Sequence, residues 1–100
     1  MAEDEALPTE QQLREALEKV GVADILVNAL SATASIGFHR VSPEARDLAQ
    51  ARLAIESLRA LEPVLREGGV EETVLRDLEQ ARTNLQLAYA AAVSEQSAED

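Results

Sequence analysis

Two stretches decide the fold: EARDLAQARLAIESLRALEPVLR, Glu44 to Arg66, and VEETVLRDLEQARTNLQLAYAAAV, Val70 to Val93, joined across Gly68-Gly69. In the first, Leu48, Ala51, Ile55, Leu58, Leu61 and Leu65 recur at steps of three and four and so share one helical face. In the second, Val74, Leu78, Ala81, Leu85, Ala88 and Ala92 do the same, flanked by Leu75, Leu87, Tyr89 and Val93. A period close to seven gives shallow left-handed crossing between paired helices. The double glycine closes the first helix and frees the chain to reverse. Two amphipathic helices on so short a link fold back on one another as an antiparallel hairpin. Pro63 should kink or loosen the last turn of the first helix. Glu71 and Glu72 sit in the first turn of the second, where the helix dipole favours acids. The pairs Arg52–Glu56, Glu56–Arg59, Arg59–Glu62 and Glu62–Arg66 read as a solvated outer face.

Upstream, Ser42-Pro43 restarts the chain after a break, with Ser42 as N-cap and Pro43 at the first helical position. Before it, Val22, Ile25, Leu26, Ala29, Leu30, Thr33 and Ile36 repeat on one helical face. Asp24, Asn28, Ser31 and Ser35 leave only a narrow polar strip, and such a helix is usually covered on more than one side. Gly37 and the Phe38–Val41 segment should end it. Gly21 either breaks or bends the chain; the residues leave both open. Thr9 and Gln12 have capping-box spacing ahead of the stripe Leu13, Ala16, Leu17 and Val20, a short helix laced by Glu10–Arg14, Arg14–Glu18 and Glu15–Lys19. Residues 1–8 and 94–100 carry no apolar period and read as disordered acidic tails. The expectation is one all-α domain over residues 9–93, a small bundle made of the hairpin plus one or two N-terminal helices.

Composition narrows the chemistry. A chain of 100 residues with 46% hydrophobic content can bury a core, but with 2% aromatics that core is built from Leu, Val, Ile and Ala. With no cysteine, disulfides, thiol catalysis and thiolate metal sites are excluded together. The acidic start Met-Ala-Glu-Asp-Glu is unlike a basic leader, which suggests a cytoplasmic protein. A net charge of −10 repels nucleic acid and anionic membranes, and the arginines are interleaved with acids. His39 is the only histidine, a poor start for a metal site, and reads as a loop residue beside Phe38. Glu71, Glu72 and Asp77 point to different helix faces and do not make an acid–base pair. Phe38 and Tyr89 are expected to fill core gaps. The uncharged run Ile25–Phe38, about fourteen residues, is short for a bilayer span. No catalytic, cofactor-binding or metal-binding residue emerges.

The stretch RDLAQARLAIESLRAL, Arg46 to Leu61, with Leu75-Arg-Asp-Leu and NLQLAYAAAV, Asn84 to Val93, resembles the domain-of-unknown-function family 1844, small bacterial helical proteins. Leu85, Leu87 and Tyr89 match that family's Leu-x-Leu/Met-x-aromatic run, and Val22–Gly37 corresponds to its N-terminal apolar helix. The chain departs from it between Gly37 and Ser42, where many relatives carry a proline-rich acidic turn. The resemblance implies an all-helical fold. It brings no catalytic residues, and only a genomic setting near translation genes.

The function expected on these grounds is a non-enzymatic protein–protein interaction module that pairs with itself, a homodimer meeting through Val22, Ile25, Leu26, Ala29, Leu30, Thr33 and Ile36. An accessory factor reaching the translation machinery through protein contacts is the alternative. A small-ligand enzyme stands third, for want of a polar pocket.

Overall fold

The computed structural model describes residues 7–99, so most of the N-terminal tail lies outside the described residues. They form four α-helices and one 3-10 turn: α1 Glu10–Lys19, α2 Val22–Val41, the 3-10 turn Pro43–Ala45, α3 Leu48–Glu67 and α4 Glu72–Glu99, with no strand among them.

The hairpin forms as its periodicity requires. Gly68 caps α3, and Gly69 takes φ +82°, a left-handed conformation that glycine adopts without strain. Gly69 N–H donates to the Arg66 carbonyl at 3.2 Å and Val70 N–H to that of Leu65 at 3.2 Å, the paired bonds of a Schellman motif. Val70 then packs against the core that includes Leu65. The helix runs through Pro63, which lies on its solvent side, to Glu67.

The core joins Leu30 and Ala34 of α2, Ala54, Ile55, Leu58 and Leu65 of α3, and Leu75, Leu78 and Leu85 of α4. Burying each leucine contributes about 1.5–3 kcal/mol. Leu75, expected to flank the seam, is inside it, whereas Leu48 is only half-buried. Tyr89 packs on this core, but Phe38 lies outside it and stays 38% exposed.

Gly37 does not end α2. The helix continues to Val41 because the glycine is where three helices converge: a Cβ there would lie 2.7 Å from Leu85 Cδ2 and 2.9 Å from Ala54 Cβ. His39 is therefore on the last turn of a helix, exposed, and not in a loop. Ser42 caps no long helix either. Its hydroxyl donates back to the His39 carbonyl at 2.6 Å, so the restart waits for Asp47, whose carboxylate accepts from Gln50 N–H at 3.2 Å. At the other end α4 runs to Glu99, six residues beyond Val93, and Glu95 is held by Arg46 at 2.8 Å. Residues 94–99 are helical, correcting the expected tail.

One charged pair departs from the solvated lattice. Glu62 is buried and accepts from Arg82 Nε at 2.7 Å, while Arg82 also donates to Gln86 at 3.2 Å. The hydrogen bond to Glu62 raises the Arg82 guanidinium above its ordinary pKa, against the pull of burial. Arg66 likewise reaches across to Glu72 and Glu79, at 3.2 and 2.9 Å, so these arginines bridge the hairpin instead of lacing one helix.

Gly21 breaks the chain. Val20 and Gly21 are both extended, and Gly21 caps α2. The Thr9–Gln12 capping box is complete at the head of α1, with bonds of 2.9 and 3.1 Å. Yet every residue of α1 is exposed, and it packs against no other helix among the described residues. The packed unit begins at Val22.

Candidate interaction surface

The expected interface set divides. Leu30 is 2% exposed and belongs to the core, and Leu26 and Thr33 are half-buried beside it. Val22, Ile25, Ala29 and Ile36 stay exposed together, with Ala32, at steps of three and four along one flank of α2. The hairpin covers the other side, where Leu26, Val27, Leu30, Ala34, Gly37 and Val41 are turned.

Sequence reading missed the second half of this surface. On α3, Leu53, Ser57, Ala60 and Val64 step by four, three and four along the flank next to α2. Ile36 and Leu53 line one groove with Thr33, Gln50, Ala54 and Ser57. Since α2 and α3 are antiparallel with Gly37 against Ala54, Ala32 runs level with the Ser57–Ala60 stretch and Ile25 with Val64. Val22, Ile25, Ile36, Leu53 and Val64 are 73, 56, 56, 60 and 51% exposed. Neither flank carries a charge, in a chain of net charge −10. The signal was present as a second uncharged repeat on α3, overshadowed by the core repeat one step away.

From Val22 to Ile36 the face is about 21 Å long, and two adjacent helices make it about 20 Å wide. That is roughly 400 Å², within the range of the largest apolar patch on an ordinary monomer, and such patches are commonly functional.

Two further grooves on the hairpin are edged by charged side chains, several of them held in pairs. Around Tyr89, Arg59 is paired to Glu56 at 3.1 Å; beside Glu62 and Pro63, Arg66 and Arg82 are held by the carboxylates already described. Among the described residues no three His, Asp or Glu side chains gather where a metal ion would be held. By length and composition α2, at 20 residues and mean hydropathy 1.2, is sufficient to cross a membrane, being longer than the uncharged run on which the shorter expectation rested.

No protein-family model, curated protein or solved structure matches this chain. The surface is accordingly read from its own chemistry.

Proposed function

We propose that this chain is a non-enzymatic interaction module that pairs with a second copy of itself through the α2/α3 face. The observation that carries the reading is the unbroken, uncharged, two-helix surface from Val22–Val64 to Ile36–Leu53. Burial of apolar area drives association, and two-fold pairing of one face on itself is the commonest closed solution. The small residues Ala29, Ala32, Ser57 and Ala60 at its centre let helices approach closely. Self-pairing also suits the electrostatics, because this is the surface on which two acidic copies meet without juxtaposing charges. A cytoplasmic setting fits: α2 lies along α3 and α4, whose outer faces are lined with Arg and Glu, and itself carries Asp24 and Arg40. Drawing α2 into a bilayer would desolvate those charges or strip α2 from its core.

Sedimentation equilibrium tests the reading. The wild type should sediment as twice its 10.8 kDa chain mass, and Ala29→Glu, at an exposed position outside the core, should return it to one chain with unchanged helicity. A wild type that remains a single chain at high micromolar concentration overturns the proposal.

A further inference from the structure

The ion pairs that bridge the hairpin form a ladder. On α3, Arg52, Arg59 and Arg66 stand seven residues apart on the flank turned to α4, and Glu72, Glu79 and Gln86 of α4 run past them in the opposite direction. At one end Arg66 is held by Glu72 and Glu79, at 3.2 and 2.9 Å. The next rung is an amide. Gln86 accepts from Arg82 at 3.2 Å and brings no charge to α3. Arg59 keeps only its pair to Glu56 on the same helix, half-exposed and of a kind that contributes little. Arg52 makes no ion pair among the described residues.

Around Ile55 and Tyr89 the hairpin thus leaves two guanidinium groups against one carboxylate, a local positive excess in a chain of net charge −10. The groove they line has a volume of about 290 Å³, and Arg59 joins it to the groove beside Glu62 and Pro63, which makes one trough along α3 and α4. A small-ligand site would enclose its guest, whereas an open trough between two helices suits a third. We propose that this trough docks an acidic amphipathic helix of a partner protein, whose carboxylates complete the ladder that Gln86 interrupts. Arg52 and Arg59 lie about 10.5 Å apart along α3, the rise of two helical turns, so the partner's acids recur at heptad spacing. An aliphatic residue between them rests on Ile55 and the half-buried ring of Tyr89. Arginine suits the role because its planar fork takes a carboxylate bidentately. The trough is on the flank of α3 away from α2, so it stays open whether or not the α2/α3 face is paired.

Fluorescence anisotropy tests this with a labelled alanine-rich helical peptide. It carries two glutamates at heptad spacing with a leucine between them, and a twin has glutamines in their place. The glutamate peptide should bind the full chain, more weakly as salt rises, and the twin should bind about tenfold less. Gln86→Glu supplies the missing rung from within, and it should weaken binding of the glutamate peptide about tenfold while circular dichroism shows the helices intact. Arg52→Gln/Arg59→Gln should weaken it similarly. Ala29→Glu, on α2, should leave it unchanged, so failure of the self-pairing reading does not touch this one. No binding of the glutamate peptide at about 1 mM, equal binding of the twins, or indifference to Gln86→Glu overturns the proposal. If excess Arg52→Gln/Arg59→Gln chain displaces the peptide from the wild type, the occupant is a second copy of this chain. If a duplex oligonucleotide displaces it, the trough reads phosphate. Either displacement overturns the acidic partner helix.

Discussion

At Gly37 both α3 and α4 crowd against α2, and Gly37→Ala measures how tightly. In an exposed helix the change would stabilise by about 1 kcal/mol, since alanine loses less backbone freedom. Here the added methyl would lie 2.7 Å from Leu85 Cδ2 and 2.9 Å from Ala54 Cβ. Leu85 is fully buried and cannot swing into solvent, and the Ala54 methyl is fixed to its backbone. Overpacking of this kind costs about 1–3 kcal/mol. With two contacts this close the upper part of that range applies, and the net loss should be about 1–2 kcal/mol. With a urea m-value of about 1–3 kcal/mol per molar, the midpoint should fall by roughly 1 M. Ala54→Gly alone should also destabilise, by about 1 kcal/mol. Combined with Gly37→Ala it removes one of the two clashes, so the double variant should be more stable than the two single losses predict, by at least about 0.5 kcal/mol. Urea unfolding followed by circular dichroism at one fixed protein concentration supplies all four corners of the cycle. If Gly37→Ala is as stable as the wild type and the two changes are additive, the three helices do not converge at this residue.

Leu58, fully buried at the centre of the seam, should cost about 2–5 kcal/mol when cut to alanine; an unchanged urea midpoint would mean the hairpin is paired differently. Arg82→Met strands the buried Glu62 carboxylate and should destabilise by about 3–5 kcal/mol, while Glu62→Leu/Arg82→Met together should recover most of it. Equal melting temperatures for the single and double variants would show that the pair is not buried together. No binding to duplex DNA or unstructured RNA is expected near physiological salt, given the −10 charge; salt-sensitive retention in an anisotropy titration would contradict it.

The hairpin and its inner stripe were legible because core burial imposes a strict period: Ala51, Ile55, Leu58, Leu78 and Leu85 all lie where their spacing puts them. Helix ends were less so. Ser42-Pro43 has the residues of a start signal, but its hydroxyl serves the preceding helix, a choice made by the bond to His39. Gly37 carries the chemistry of a stop and the role of a contact, and only the positions of Leu85 and Ala54 tell the two apart. Glu62 repeats at outer-face spacing from Arg59 and Arg66, yet faces inward because Arg82, twenty residues away, meets it there. The apolar excess of α2 was visible; which residues would be spent on the core was not. Leu30 went inward and Ile25 outward because α3 and α4 approach from one side.

The isolation of α1 has a consequence for how the chain exchanges its amide hydrogens. A ten-residue helix with no buried side chain is below the length at which helices persist unaided in water. Its amides should exchange at close to the unprotected rate in dilute solution, while those of Leu58 and Leu85 open only with global unfolding. If α1 finds its cover on a neighbouring copy, its protection will rise with protein concentration while that of the hairpin stays level. The most weakly held helix among the described residues then becomes the gauge of assembly, readable amide by amide.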